Sequence, residues 1–347
     1  MKLTAISVYG LFGEYDFELA LVDGRMTFIH SPNGLGKTTI LEMVNLSLSG
    51  SLKRLEEVPF NRMDIFFDGG ECLIVENGTE GISVQMQKNE VEEELDPNDL
   101  RSVIPVSFIP SGRLWTYTED GMMPSMGSYA LNLAERIKDA KEHSEISLSG
   151  TGGKSGLNDH EFESYCKDLK AKMDFMRQSG LDPSMPSGYR FPPSRMEIIE
   201  YRKDYEEIVK LLQGYIDLHF DLAESIVVYM DIVNGMFINK EVYLNERGQM
   251  NFRAMNGTAL PMNKLSSGEN QILVMFYRVL FNTKRNSLVM IDEPEMSLHV
   301  TWQQQLGGIL MDVARLRGLQ IVIATHSPQI IHDKWDLATE MKVRHER

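Results

Sequence analysis

The chain reads as an α/β protein with a parallel core, an antiparallel β portion and a mostly helical insertion. Three observations carry that reading. An apolar run at Met26, Phe28 and Ile29 leads into a Pro-Asn-Gly turn, a second glycine and Lys37-Thr38-Thr39, and then into helically spaced Ile40, Leu41, Val44, Leu46 and Leu48. Two later apolar runs, SLVMIDEP at 287–294 and LQIVIAT at 319–325, have the length and branching of buried strands and end in polar residues. Between the loop and these runs, the stretch 111–235 changes from strand-like to helical spacing.

A chain of 347 residues is long enough for one large domain, or for one domain carrying a sizeable insertion. Its 42% hydrophobic and 24% charged residues are ordinary for a globular protein. Cys72 and Cys166 are isolated and lack metal-ligand spacing, so a reducing compartment fits and no disulfide is expected. The first residues, MKLTAISVYG, lack the apolar core of a leader, and no run reaches the roughly 18–20 apolar residues of a membrane span. The expectation is a cytoplasmic protein without membrane contact. A formal charge of −15 argues against a broad nucleic-acid-binding face and leaves a local basic groove, or contact through a partner.

Taken in order, residues 2–30 alternate as a hairpin leading into the strand before the loop. The loop and its flanks are a strand, a glycine turn and a helix, the context in which backbone N–H groups converge on one anion. Ser31, Pro32, Asn33, Gly34, Leu35, Gly36, Lys37, Thr38 and Thr39 are the candidate phosphate-binding residues. Lys37 would reach the outer phosphates of a nucleotide and Thr38 a magnesium ion. The full pattern has glycine where this chain has Ser31; a left-handed backbone there would cost serine roughly 1 kcal/mol or more. Most of the nest lies downstream, so the serine is expected to be tolerated.

Further strands are expected at DIFFD, ECLIVENG, GISVQMQ and VIPVSFIP within residues 60–110, and the acidic run 90–99 is expected to be a solvated loop. Helical spacing covers 129–143. A Gly/Ser-rich linker follows over 147–157, and its Gly153-Lys154-Ser155 lacks the preceding strand of a phosphate loop. A helix resumes over 158–179. After a proline-rich bridge, Ser194 and Glu197 form a capping box that opens a long helix to about Asn234, with a break expected near Gly214. Met173, Met176, Met196, Met230 and Met236 read as core filler. Residues 240–255 read as a hairpin.

Leu265, Ser266, Ser267, Gly268 and Glu269 open an apolar-periodic helix whose electropositive end can accept an anion or can simply be a cap. Asp292 and Glu293 end the next strand as a metal-binding carboxylate and a base for an attacking water. His326 ends the last strand, where a sensor of the terminal phosphate would stand.

As a set these residues resemble the ATP-binding-cassette (ABC) ATPase superfamily, over roughly residues 1–110 and 240–335. The resemblance makes residues 31–39 the Walker A loop, 265–269 the signature, Asp292–Glu293 the Walker B end, 295–299 the D-loop and His326 the switch histidine. It implies an ABC-type P-loop NTPase head (1–110 and 236–347) with an antiparallel β subdomain and a helical insertion (111–235). It also implies ATP and Mg2+ as ligands, with Thr38 and Asp292 at the metal and Glu293, His326 and Lys37 catalytic. Ser266, Ser267, Gly268 and Glu269 would then bind ATP held by a second subunit, giving a head-to-tail homodimer or a higher even-numbered assembly.

The runs DEPEMSLH and ATHSPQII look like the stand-alone ATPases related to RecF and OLD proteins rather than transporter cassettes. The glutamine loop is the weakest part of the match; VSFIPSGRLW has no glutamine, Gln85 and Gln87 lie earlier in a strand candidate, and Arg113 is the polar candidate. The expected function is an ATP-driven switch controlling a separate effector, a nuclease or toxin, in bacterial anti-phage defence. Its alternatives are a RecF-like DNA-repair ATPase that binds DNA directly, and a slow-turnover nucleotide-gated scaffold.

Overall fold

The strand Met26–His30 lies inside an all-parallel five-stranded sheet with Ala338–Glu340 on one side and Gln320–Thr325, Leu288–Asp292 and Val106–Ile109 in turn on the other. The computed structural model describes every residue but 23, 90, 119–120, 150–155 and 345–347. The chain divides into two compact units, 1–122 with 266–347 and 123–265. The joins therefore fall at 122/123 and 265/266, where the sequence reading placed them at 110/111 and 235/236.

In the first unit a seven-stranded antiparallel sheet stands beside the parallel one. The expected hairpin is there, Leu3–Leu11 paired with Tyr15–Ala20 in the register Val8 to Phe17. Arg62–Phe67, Cys72–Gly78 and Gly81–Lys88 continue the sheet. The helix Lys37–Leu48 buries eight of its twelve residues because it has two sheets to cover. Its Ile40, Leu41, Val44 and Leu48 share one core with Ile6, Val8, Ile65 and Val75 of the antiparallel sheet and with Met290, Val322 and Ala324 of the parallel one. That burial holds the loop before the helix against the ends of three parallel strands.

The acidic run corrects one expectation. Val91–Glu94 is not loop but the edge strand of the antiparallel sheet, in register with Gly81–Lys88, and all four of its residues are exposed. Backbone pairing needs no apolar side chain on a solvated edge, and the carboxylates keep other chains from adding to it. Residue 90 lies outside the described residues.

The second unit holds the helices Ser125–Glu142, Asp159–Arg177, Arg195–Glu200 and Arg202–Met236, with a three-stranded sheet made by Lys240–Leu244, Met250–Ala254 and Ala259–Leu260. The stretch after 111 begins not as helix but with two short strands, Trp115–Thr118 and Gly121–Pro124. Of the linker, residues 150–155 lie outside the described residues, and Ser149 is tied down by its N–H and hydroxyl, each 2.6 Å from the buried Glu207 carboxylate. The Ser194–Glu197 capping box forms, yet the helix breaks at Tyr201 and runs unbroken through Gly214. An interior glycine costs only about 0.5–1 kcal/mol, which the buried stripe of Ile208, Leu212, Tyr215, Ile216 and Ile226 outweighs. Met173, Met176 and Met236 are core residues, whereas Met196 is exposed.

Candidate active site

The phosphate loop takes its shape from residues close in sequence. Gly34 and Gly36 have φ of 88° and 89°, and a Cβ on Gly36 would stand 3.3 Å from the Leu11 side chain. Ser31 is not left-handed, so the serine carries no backbone penalty. Its hydroxyl instead lies 3.3 Å from the Lys37 ammonium, which also donates to the Ser31 and Pro32 carbonyls at 2.9 and 3.3 Å. Lys37 is thereby buried at the floor of the loop, while Pro32, Asn33, Gly34 and Thr38 are exposed at its mouth. Leu35 packs against the core, and Thr39 is half-buried in the first turn of the helix. A cleft of about 370 Å3 opens beside the loop, lined by His30, Ser31, Asn33, His326 and Trp335 among others.

The Thr38 hydroxyl donates to Asp292 Oδ1 at 2.8 Å, a bond spanning 254 positions of sequence. Asp292 is 1% exposed at the end of the buried strand Leu288–Asp292, which Gln320–Thr325 separates from Met26–His30. A hydroxyl and a buried carboxylate brought together at the mouth of a phosphate loop are hard oxygen donors that suit Mg2+, and the residues present fit that ion.

Glu293 follows Asp292 in a left-handed conformation, φ 44°, with its N–H donating to Ala324 O at 2.9 Å. Its carboxylate pairs with His326 Nδ1. Burial, then the neighbouring Glu295 carboxyl, push Glu293 up to about 7 from 4.5, and His326 pulls the other way. Donor atoms of Glu293, Glu295 and His326 all lie within 4.8 Å of one another. The arrangement can accept a proton from water near neutral pH beside an imidazole that can donate to an oxyanion.

Arg113 turns out to be a structural cation rather than a glutamine-loop substitute reaching the loop. It is 2% exposed, and its guanidinium donates to Asp292 O, Glu293 O and Pro294 O at 3.1, 3.3 and 3.1 Å, and to Pro110 O at 3.2 Å. Burial pulls it down to about 10, which leaves it charged at neutral pH. Gln85 and Gln87 stand in the antiparallel strand Gly81–Lys88.

The signature residues form a second group. Ser266 caps the helix Ser267–Phe281, its hydroxyl accepting from Glu269 N at 3.2 Å while Glu269 accepts from Ser266 N at 2.7 Å. Ser266 and Ser267 are exposed. Gly268 is buried against the turn at Ser297, where a Cβ would lie 2.7 Å from the Ser297 carbonyl. Sequence reading assigned no chemistry to Glu295; the buried Thr325, His326 and Ser327 contacts it makes cross 30 to 32 positions, and no local pattern signals them.

A family described as AAA domain matches residues 5–213, and one described as AAA ATPase domain matches residues 162–331. No curated protein matches the chain. Among solved structures, the chain is similar to the Smc head domain of Pyrococcus furiosus, with an extended coiled coil and bound to the C-terminal domain of ScpA. The identity is 11%, over 99% of this chain and 95% of that one, with a TM-score of 0.51. A second similar structure is the SMC head domain from Thermotoga maritima, at 12% identity, full coverage of both chains (100% each) and a TM-score of 0.45.

Proposed function

The chain belongs to the AAA domain family and its fold is similar to that of an Smc head domain, and from that premise we propose that it is an ABC-type, RecF-like ATPase that hydrolyses ATP with magnesium and works as a dimeric switch on a partner. The observation that carries the reading is the meeting of two pairs at one end of the parallel sheet: Thr38 with Asp292, and Glu293 with His326.

Residues 31–39 bind the phosphate chain through loop N–H groups and the helix N-terminus, and Lys37 exchanges its carbonyl partners for phosphate oxygens. Thr38 and Asp292 would hold the magnesium ion, which neutralises charge at the outer phosphates when bound. Glu293 orients the attacking water and takes its proton as the water oxygen bonds to the γ-phosphorus and the bond to the β-phosphate oxygen breaks. His326 stands beside Glu293 to donate a hydrogen bond to the γ-phosphate. Ser266 and Ser267, exposed at a helix N-terminus, with Gly268 and Glu269 of its first turn, complete the site of a second copy, so ATP closes a head-to-tail dimer and hydrolysis opens it.

The partner is proposed to be a separate effector, a nuclease or toxin, in bacterial anti-phage defence. The DEPEMSLH and ATHSPQII runs support this through their likeness to RecF- and OLD-related ATPases. That a similar Smc head was solved bound to ScpA is in keeping with a head that docks another protein.

ATP turnover, and mass in solution with ATP and magnesium, test the reading in wild type and Glu293→Gln. Lost turnover with a gain in mass supports it; unchanged turnover removes Glu293 as the base. Salt-dependent DNA binding by the isolated protein would favour direct DNA contact instead.

A further inference from the structure

The parallel ladder joins the Asp-Glu strand to the histidine strand only as far as Asp292 opposite Ala324, with Glu293 N closing on Ala324 O at 2.9 Å. Past that point the backbone needs another anchor, because His326 is half exposed and must present its ring at a fixed place. The anchor is a side chain. Glu295, 5% exposed, offers one oxygen, Oε1, to three donors: the Thr325 hydroxyl, His326 N at 3.1 Å and Ser327 N at 3.1 Å. Ser327 N also reaches Thr325 Oγ1 at 2.9 Å, so the hydroxyl is fixed from both sides. Among the described residues, the other oxygen, Oε2, is buried without a hydrogen-bond partner. A buried carboxylate with one oxygen unpaired is costly, and the three donors gathered on the other oxygen are what hold it in place.

We propose that Glu295 is the positioning residue for His326: its Oε1 extends the strand pairing by one turn and so fixes the histidine against Glu293. The proposal rests on the reading of Glu293 and His326 as the hydrolytic pair. It makes the acceptor oxygen the essential feature. Glutamine keeps a carbonyl oxygen that the same three donors can reach, and alanine removes it.

The test compares wild type with Glu295→Gln, Glu295→Ala and Thr325→Val in the full chain. It reads kcat, KM, ATP affinity and hydrogen exchange of the amides of residues 326 and 327. In Glu295→Ala, kcat is expected to fall on the order of 10²-fold with KM and ATP affinity little changed, because loss of a fixed geometry acts on the reacting state. Exchange at 326 and 327 speeds up in the same variant. Glu295→Gln restores both readouts to near wild type, and Thr325→Val, which removes one donor of the three, falls between. If Glu295→Ala does not fold, Thr325→Val carries the decision.

Unchanged kcat and exchange in Glu295→Ala overturn the proposal. So does a Glu295→Gln variant as impaired as the alanine, since that makes charge rather than the acceptor the cause. If wild type does not turn over ATP, the hydrolase reading fails, while the exchange data still decide whether Glu295 holds the histidine turn.

Discussion

The phosphate loop and the Asp-Glu-Pro-Glu turn sit side by side, yet they are held by different means. In the loop, glycines occupy the left-handed positions and Lys37 bonds to carbonyls five and six residues away. In the turn, Glu293 and Ser297 take positive φ without being glycine, at a cost of roughly 1–2 kcal/mol each. Arg113, 179 to 181 positions away, holds the carbonyls, and Ala324 holds the Glu293 N–H. The geometry of the proposed binding loop is therefore local, and that of the proposed catalytic turn depends on the assembled tertiary structure. Damage far from the nucleotide should reach turnover before it reaches affinity.

The largest effects should separate the two regions outright. Lys37→Ala is expected to weaken ATP binding about 10²-fold by removing charge-assisted bonds to phosphate, measured by titration with a fluorescent nucleotide. Glu293→Gln should keep affinity while turnover drops roughly 10²–10⁴-fold. If both variants lose binding, the division between the regions fails.

Arg113→Ala sharpens the comparison. Releasing three consecutive carbonyls of the turn should cost roughly 3 kcal/mol, read as a lower Tm, and lower kcat more than it changes ATP affinity. A loss of affinity with kcat intact would show that Arg113 serves the loop instead.

A smaller effect is expected with pH. Glu293, pushed up to about 7 by burial and by Glu295, must lose its proton to act as a base, so kcat/KM should rise with pH through about 7. The same raised pKa acts on stability in the opposite sense. Its contribution is complete below the ordinary value of 4.5 and is lost as pH rises through about 7. Thermal melts across that range should fall more steeply for wild type than for Glu293→Gln.

The smallest effect belongs to the loop. Because Ser31 is not left-handed, Ser31→Gly should leave ATP affinity nearly unchanged and cost about 0.5–1 kcal/mol through added freedom of the unfolded chain. A gain in stability would mean that the serine is strained after all.

Much of this was legible in the sequence, and where it was not the reason is physical. The strand, loop and helix of residues 26–48 follow a pattern written in consecutive residues, and the apolar runs at 288–292 and 320–325 read as strands because they are short, rich in β-branched residues and apolar on both faces, as a buried parallel strand is. The edge strand Val91–Glu94 was missed because a solvated edge has no apolar alternation to read. The helix break moved from Gly214 to Tyr201 because packing of the stripe around Tyr215 outweighs a glycine's propensity. Arg113 stands out in the sequence as a polar residue of the right segment, but its role is not written there, since its acceptors are backbone carbonyls that any sequence supplies.

By itself, then, the sequence determined the glycine loop proposed to bind phosphate, the acidic strand end, the capped helix proposed as the signature and the order in which they come, because each is written in residues within one or two turns of each other. Tertiary structure alone decided that Thr38 meets Asp292, that Glu293 meets His326, and that Arg113 and Glu295 hold the turns on which those residues stand. Those contacts join positions 30 to 254 apart, and their geometry exists only once the parallel strands are side by side.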